Sequence, residues 1–377
     1  MDVCLTMIVK DEAAVIARCI ASVKPIITRW CILDTGSTDE TEVKAREAMG
    51  VLPGEYHHVP WRGFGASRTE AFELARINAK PDEYALVIDA DDVLTYPNGQ
   101  TPDLRKHPGG ADAYLLPVNL NALRYERPHL FRLDKPWRYE GVLHEYATCE
   151  GSPIITRIEG IAYECHRDGA RSTSADTGKG KYERDALTLM RALQDEPLNA
   201  RYVFYAAQSW RDAEDDERAL KLYQRRAAMA GFEEEVFVSL LEIGRASERL
   251  GRAEPEIWAA YLAAYARRPT RGAEPLCELA RFCRLKERHE MAWMFASTGI
   301  HVPYPSADRL FISSEIYSWR MQDEYAMAAY YTGRKEISAQ INEALLANED
   351  LPQDQRPRIE NNLSWALHGR PITKAPS

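Results

Sequence analysis

Short apolar runs alternate with segments of helical periodicity in the first part of the chain. The runs Val3–Val9, Trp30–Leu33, Tyr56–Pro60 and Ala85–Ile88 are short and mostly apolar, as is typical of strands buried on both faces of a sheet. Between them, apolar residues recur at the spacing of helices that pack one face on a sheet. This order predicts an α/β domain with a doubly wound, mostly parallel central sheet.

After Leu94 the pattern becomes less regular. Prolines and glycines mark loops, and shorter apolar runs predict further strands at Ala113–Val118, His129–Arg132 and Ile154–Ile158, with another near Val142. We therefore expect the sheet to continue beyond the regular α/β alternation.

Helical periodicity takes over from about Lys181 onward. Residues at similar places in successive helical hairpins recur roughly every 34 positions, a period that indicates tetratricopeptide-like repeats. The first series is Ala206, Ile243, Leu279 and Glu315, and the second is Ala259, Ala292 and Ala326. Stacked hairpins share one core along the array, so the repeats are expected to act as one module.

The two patterns together predict two domains of different class. Residues 1–175 form the α/β domain, and residues 176–377 form an all-α domain of tetratricopeptide-like repeats. The repeats either stabilise the first domain or offer a surface for protein contacts, and the pattern leaves both roles open.

Three carboxylates follow the central apolar run directly. Asp89, Asp91 and Asp92 come where that strand would reach the edge at which α/β sheets bind ligands. If the chain stays extended, Asp89 and Asp91 point to one side and Asp92 points to the other. Such hard oxygen ligands suit a magnesium or manganese ion that also contacts substrate phosphates. A polar turn that closes a core strand would have the same sequence, so both interpretations remain open here.

Composition and charge narrow the class of protein. With 377 residues, 45% hydrophobic and 28% charged, the chain can form two cores and resembles ordinary soluble globular proteins. A formal net charge of −9 argues against a surface that binds nucleic acid or anionic membrane along its whole extent. The seven cysteines show no C-x-x-C pair or zinc-ligand spacing, which favours a reducing compartment.

The N-terminal segment MDVCLTMIVKDE becomes charged after a short apolar stretch. It therefore predicts neither a signal peptide nor a membrane span, and we expect a cytoplasmic protein. Further along, basic and aromatic residues interleave between Arg124 and Tyr139. Such a segment can contact phosphates, sugars or bases, although an ordinary amphipathic surface has the same pattern.

Five motifs and a later histidine occur in a characteristic order. They are MIVKDE, LDTGSTD, SRTEAFELA, VIDADD and GVLHE, followed by His166. The ordered set resembles family 2 glycosyltransferases of the GT-A fold, in particular the bacterial and phage branch that carries tetratricopeptide-like repeats. The resemblance covers roughly the first 170 residues and, through the repeats, much of the remainder.

The resemblance implies a nucleoside-diphosphate sugar donor at the carboxyl edge of the sheet, with UDP-sugar as the expected donor. The residues it assigns to the base and ribose are Val9, Lys10, Asp11, Glu12, Asp34 and Arg68. Many relatives have a second aspartate where this chain has Thr35, so the contact to the base would rest on Asp34.

The same resemblance assigns the remaining parts of the site. Asp89, Ala90 and Asp91 match the D-x-D motif, which binds the diphosphate through Mn²⁺ or Mg²⁺. His166 stands where GT-A enzymes often supply a third metal ligand. An inverting enzyme also needs a carboxylate that removes the acceptor's proton. Glu145 is the predicted base, and Asp92 and Glu140 are the alternatives.

The predicted function is a metal-dependent, inverting transfer of a sugar to an acceptor. A glycan, a protein or a modified DNA base would all suit as acceptor. Nucleotidyl transfer is an alternative, but it would prefer a glycine-rich phosphate loop that MIVKDE lacks. A second alternative is a repeat scaffold with an inactive α/β domain, against which the intact Asp89, Asp91, Glu145 and His166 argue.

Overall fold

The structure is a computed structural model. It describes residues 1–97, 99–120, 123–143, 145–166, 168–170 and 178–370. His144 and the side chain of Arg124 lie outside the described part. The chain divides into two compact units, Met1–Glu214 and Asp215–Ser377, and the domain boundary placed at residue 175 stays a prediction.

In the described part of the chain, the first unit holds a nine-stranded sheet and a separate two-stranded sheet. The strands are β1 (Val3–Val9), β2 (Arg29–Asp34), β3 (Gly54–His58), β4 (Tyr84–Val87), β5 (Val93–Thr95), β6 (Ala113–Leu120), β7 (Leu123–Arg132), β8 (Arg138–Glu140), β9 (Tyr146–Thr148), β10 (Ile155–Arg157) and β11 (Ala162–Glu164). The large sheet has the order β3-β2-β1-β4-β7-β6-β11-β5, with β10 paired to β6, while β8 pairs with β9.

The sheet is mixed but mostly parallel, which confirms the predicted fold class. Strands β3, β2, β1 and β4 are parallel neighbours, as the alternating strands and helices require. Strand β7 then runs antiparallel to both β4 and β6. The carboxyl ends of β1, β2 and β4 therefore meet at one edge of the sheet.

The strand predicted near Val142 corresponds to two short strands on either side of it, β8 and β9, and Val142 itself is in neither. Residues 141–143 form a bend between β8 and β9. Gly141 has a φ of +113°, in the region that favours glycine and interrupts an extended chain. Val142 is exposed, so its apolar side chain does not join the sheet core.

Alternate residues of β1 enter two different cores, which explains its unbroken apolar sequence. Leu5 and Met7 pack on one face with Ile16 and Ile20 of the first helix. Cys4 packs on the other face with partners that include Phe72. Helices therefore cover both faces of the parallel strands, as in other α/β sheets.

Thirteen α-helices of eight or more residues lie within the described ranges. They are α1 (Ile16–Val23), α2 (Thr41–Met49), α3 (Phe64–Ile77), α4 (Lys179–Asp195), α5 (Ala200–Asp212), α6 (Asp216–Ala227), α7 (Glu233–Arg249), α8 (Glu254–Arg267), α9 (Ala273–Leu285), α10 (His289–Gly299), α11 (Met321–Tyr331), α12 (Lys335–Ala347) and α13 (Arg356–His368). A π-helical turn, Ile316–Arg320, precedes α11. None of the described helices is long and apolar enough to cross a membrane.

The helical region consists of antiparallel hairpins, as the period of the sequence predicted. Helices α4 and α5 pack on each other within the first unit, and consecutive helices of the second unit do the same. Leu279, Ala292 and Ala326 are buried. Ala259 and Glu315 are exposed, so the two predicted packing series are wrong at those positions.

Candidate active site

The loops after β1 and β2 are joined to each other at the carboxyl edge of the sheet. Val9 lies opposite Asp34 in the parallel register, so both strands deliver their loops to the same place. The Asp11 N–H donates to Ser37 Oγ at 2.9 Å, and the Asp11 carboxylate accepts from the Thr38 N–H at 2.7 Å. The segment predicted to contact the nucleoside is therefore a fixed rim.

Lys10 and Glu12, on either side of Asp11, lie in different environments. The Lys10 side chain is exposed. The Glu12 N–H donates to Thr41 Oγ1 at 2.8 Å, and its carboxylate accepts from the Ala170 N–H at 3.2 Å. Glu12 thus connects the rim to a segment that lies far away in the sequence.

Asp34 closes the turn that follows β2. One carboxylate oxygen accepts from the N–H groups of Gly36 and Ser37 at 2.9 and 2.7 Å, and the other accepts from the Tyr56 hydroxyl at 2.7 Å. Burial alone would raise the pKa of Asp34, but these hydrogen bonds outweigh it and lower the pKa. Asp34 is therefore an ionised carboxylate at the edge of the predicted nucleoside site, and both of its oxygens accept hydrogen bonds from the protein.

The carboxylates after β4 lie on a turn and not on an extended chain. Strand β4 ends at Val87, and the Asp92 N–H donates to the Asp89 carbonyl at 3.1 Å. The expectation that Asp89 and Asp91 share one side applied to an extended chain, and the structure has the alternative, a turn that begins where the strand ends. Ala90 is buried between them.

A single arginine joins the D-x-D turn to the predicted base. Arg68 Nη2 donates to Asp89 Oδ1 at 2.5 Å, and Arg68 Nε donates to Glu145 Oε1 at 2.8 Å. The guanidinium lies 5.7 Å from the centre of the Tyr139 ring. The side chains of Arg68 and Glu145 are 11% and 13% exposed, whereas that of Asp89 is 38% exposed, so the Glu145 end of this bridge is shielded from water and the Asp89 end is open to it.

The start of α3 holds Arg68 in this position. A Cβ on Gly65 would lie 3.0 Å from the Gly141 carbonyl oxygen, so glycine permits the close approach of α3 to the loop that carries Glu145. The Tyr139 N–H also donates to Thr69 Oγ1 at 2.9 Å. The assignment of Arg68 to the base and ribose stays a prediction, since its contacts here are with the two carboxylates.

The two alternative bases have other partners. Asp92 is buried, and it accepts from the Tyr163 hydroxyl at 2.6 Å and from the His166 N–H at 3.0 Å. Glu140 accepts from the Tyr146 hydroxyl at 3.1 Å. Asp92 therefore connects the turn to Tyr163 and His166, and Glu140 lies on strand β8.

Negative charge accumulates around the turn beyond what Arg68 neutralises. Burial would raise the pKa of Asp89, but Arg68 and Arg127 outweigh it and lower the pKa. Burial and then the charge of Asp89 raise the pKa of Asp91. Burial, together with Asp91 and Asp89, raises the pKa of Glu12 to about 7. A bound cation would relieve this repulsion.

The residues fit a cation that is shared with a ligand, and not a closed protein cage. Within the described ranges, no group of three or more His, Cys, Asp or Glu side chains could hold a metal ion. The His166 side chain is exposed, and its role as a third ligand stays a prediction. Mg²⁺ is commonly held by one or two carboxylates plus substrate phosphates, which Asp89 and Asp91 can supply.

Residues 168–170, which we call the closing segment, pack directly onto the turn. Asp168 pairs with Arg18 at 2.6 Å, and Arg18 also donates to the Asp91 carbonyl at 2.6 Å. The Gly169 N–H donates to Asp91 Oδ2 at 3.3 Å. A Cβ on Gly169 would lie 2.9 Å from that oxygen, so glycine is required for this contact.

An aromatic layer supports the turn from β7 and β11. His129 Nδ1 lies 2.8 Å from the Val87 carbonyl; because a carbonyl only accepts, Nδ1 carries the proton. The His129 ring stacks on Tyr163 with centroids 4.1 Å apart. Burial and the charge of Arg127 hold the pKa of His129 well below its usual range, so the imidazole stays neutral.

Sequence reasoning missed both the closing segment and this aromatic layer. Arg127 and His129 are two apart on β7, and that alternation was available as a signal that they share a face. The pairing of Arg18 with Asp168 had no comparable signal, because no local pattern links residues so far apart in the chain.

Much of this candidate site lies in a part of the chain that matches a known protein family. Residues 4–97 match the family model described as Glycosyl transferase family 2. The N-terminal segment is therefore similar to this family. The matched segment ends a few residues after the turn at Asp89, so Asp34, Arg68 and Asp89 lie inside the match, while Glu145 and His166 lie beyond it.

One curated relative resembles part of the chain. It is a TPR repeat-containing protein of Synechococcus elongatus, 42% identical over 94 residues, which are 25% of this chain and 21% of the relative. The match therefore spans about a fifth of that relative's length, and the identity extends to no more than this portion.

Two solved structures give weaker likenesses. A set of nearly identical TPR-like repeats from Podosopora anserina has a TM-score of 0.33 at 16% identity, covering 45% of this chain and 86% of that chain. Glucosyl-3-phosphoglycerate synthase from Mycobacterium tuberculosis, in complex with Mn²⁺, UDP-glucose and phosphoglyceric acid, has a TM-score of 0.23 at 20% identity, covering 31% and 43%.

Proposed function

We propose that this chain is a glycosyltransferase that uses a nucleoside-diphosphate sugar, with a UDP-sugar as the expected donor. The observation that carries the proposal is the contact of one guanidinium with both Asp89 and Glu145. This contact supports the proposal, because it joins Asp89, inside the family 2 match, to Glu145, the proposed base.

The donor would lie along the carboxyl edge of the sheet, where α/β folds bind nucleotides. Val9, the rim residues 10–12 and Asp34 would contact the base and ribose. The hydrogen bonds between the two loops support this placement, because a rim that is already ordered loses little entropy when a ligand binds.

The diphosphate would lie against the turn that carries Asp89 and Asp91. Mn²⁺ or Mg²⁺ held there with the phosphates would neutralise the charge of the leaving nucleoside diphosphate. The raised pKa values of Asp91 and Glu12 support this role, since burial and, to a smaller extent, the neighbouring carboxylates disfavour negative charge that a cation would stabilise. His166 would add a third ligand if its exposed side chain turns toward Asp91.

Glu145 would act as the general base. Its carboxylate takes the proton from the acceptor's nucleophile as the nucleophile bonds to the anomeric carbon. The bond from that carbon to the phosphate oxygen breaks in the same displacement, so the configuration inverts. The 13% exposure of Glu145 supports this role, because a partly shielded carboxylate can meet an acceptor without being solvated by bulk water.

Titration calorimetry with a panel of nucleotide sugars, in the presence and absence of Mn²⁺, tests the proposal. We expect one donor to bind in a metal-dependent manner, and mass spectrometry of products with candidate acceptors then identifies the transfer. A folded sample that binds no nucleotide sugar would overturn the proposed function.

A non-catalytic repeat scaffold is the second candidate. It is favoured by the helical hairpins of the second unit and by the relative whose name gives TPR repeats. On this hypothesis the repeats would bind a protein partner while the first unit binds no donor. The same titration separates the two candidates, because only the enzyme requires donor affinity.

A further inference from the structure

Arg68 lies between the two groups that the proposed reaction needs most. Its Nη2 contacts Asp89 and its Nε contacts Glu145. We propose that Arg68 is a positioning residue that couples cation binding at Asp89 to the placement of the Glu145 carboxylate. This inference rests on the proposed function, because it assigns Arg68 a part in that same site.

The geometry of the contact favours coupling over simple neutralisation. A guanidinium is planar, and its N–H groups point in fixed directions, so its contact with each carboxylate affects its contact with the other. The Tyr139 ring lies 5.7 Å from the guanidinium and limits the directions in which Arg68 can turn. Lysine carries the same charge, but it lacks this fixed fork.

Arg68 is not needed to attach α3 to the rest of the unit. Thr69 accepts from the Tyr139 N–H at 2.9 Å. Arg76 donates to the carbonyls of Lys135 and Trp137 at 2.9 and 2.7 Å. Because these contacts dock the helix, variants of Arg68 are expected to fold.

A divalent cation and the Arg68 guanidinium compete for Asp89. Both are positive and both need the same carboxylate, so a cation bound to Asp89 weakens its contact with Arg68. The guanidinium then remains with Glu145 and holds the base in place. By linkage, any change that strengthens the Arg68–Asp89 contact must weaken cation binding.

The test is Mn²⁺ binding by titration calorimetry on the full chain, measured without nucleotide and again with UDP, whose phosphates complete the cation's ligands. For Arg68→Gln we expect Mn²⁺ to bind about 10-fold more tightly, although turnover falls because Glu145 loses its anchor. For Arg68→Lys we expect Mn²⁺ affinity near that of the wild type, with turnover still reduced. An increase in cation affinity together with a loss of activity is not expected of a merely structural residue.

Glu145 provides a second measurement through the same arginine. For Glu145→Gln we expect Mn²⁺ to bind about 3-fold more weakly, because Arg68 then stays on Asp89. In the Arg68→Gln background the same change should have little effect. If Glu145→Gln weakens Mn²⁺ binding equally in both backgrounds, the effect is a simple loss of negative charge and the coupling is overturned.

Arg138→Gln is the matched control. Arg138 lies on β8 and pairs with Glu140 at 2.9 Å, so its removal takes a charge from the same region without touching Asp89 or Glu145. We expect its Mn²⁺ affinity to stay within about 2-fold of the wild type.

The outcomes separate this inference from the proposed function. Unchanged or weaker Mn²⁺ binding by Arg68→Gln, in a chain that still binds a nucleotide sugar, overturns the coupling and leaves the proposed function standing. A loss of UDP affinity with unchanged Mn²⁺ affinity overturns the coupling too and makes Arg68 a nucleoside contact. A wild-type chain that binds Mn²⁺ but no donor removes the proposed function, while the cation measurements still decide the competition for Asp89.

Discussion

In the proposed mechanism Asp91 binds the metal and Glu145 is the general base. Conservative variants of the two should therefore have different defects, one in donor binding and the other in turnover. We expect Asp91→Asn to abolish metal-dependent donor binding, because it removes a charged ligand beside the diphosphate. Glu145→Gln should keep donor affinity within about 5-fold and reduce turnover by 100-fold or more. Calorimetry for binding and a product assay for turnover check the pair. Normal turnover by Glu145→Gln would show that another group is the base.

Glu12 makes the stability of the first unit depend on pH. Burial raises its pKa from 4.5 to about 7, so the folded state binds the proton more tightly than the unfolded state does. The free energy of unfolding should therefore fall as the pH rises from about 4.5 to about 7. Urea unfolding at several pH values measures this slope.

Glu12→Gln is the matched variant for this measurement. A glutamine oxygen can still accept from the Ala170 N–H, but it does not ionise. We expect the variant to equal the wild type near pH 4.5 and to be more stable above pH 7. Parallel slopes for the two proteins would refute the assignment to Glu12.

Among the elements, the closing segment depends on one glycine. Gly169→Ala would place a methyl group 2.9 Å from Asp91 Oδ2, so either the segment or the turn must move. We expect the free energy of unfolding to fall by about 1–3 kcal/mol and Mn²⁺ binding to weaken. Thermal unfolding and calorimetry give the two readouts.

Gly180 on α4 serves as the control for that substitution. Its nearest neighbour for a new Cβ is the Arg184 Nη1 atom at 3.7 Å, which is an ordinary contact with a flexible side chain. Gly180→Ala should therefore be neutral or stabilise the unit by about 0.5–1 kcal/mol. An equal loss of stability in both variants would mean that the contact with Asp91 is unimportant.

Elements with local signals were predictable from the sequence. The apolar run of β1 predicted a strand buried on both faces, and VIDADD predicted carboxylates at the carboxyl edge of the sheet. The sequence left open whether Asp89 lies on a strand or on a turn, because periodicity does not report where a strand stops. Arg68 was assigned to the nucleoside because its contact with Glu145 arises only from packing of α3 on β8.

At the scale of the whole molecule, ion pairs between successive hairpins organise the second unit. Arg281 donates to Glu248 at 2.7 Å and to Glu278 at 2.8 Å, and Arg245 donates to Glu278 at 2.9 Å. These acids are largely buried, whereas the pair of Arg267 with Glu233 is about half exposed on both sides.

The difference in burial predicts a difference in stability. We expect Arg281→Gln to reduce the free energy of unfolding by about 1–3 kcal/mol, because it leaves two shielded carboxylates short of a donor. Arg267→Gln should change it by less than about 0.5 kcal/mol. Chemical unfolding of both variants checks this; equal effects would mean that the buried cluster adds nothing beyond a surface pair.

The closing segment also constrains how the protein is made. Asp91 and Glu12 emerge from the ribosome early, together with most of the family 2 segment. Their partners Gly169 and Ala170 are translated only after β5 to β11. Until then Asp91 and Glu12 lack the hydrogen bonds that these two N–H groups donate. The proposed cation site would therefore be completed late in synthesis, once Asp168 pairs with Arg18 of the first helix.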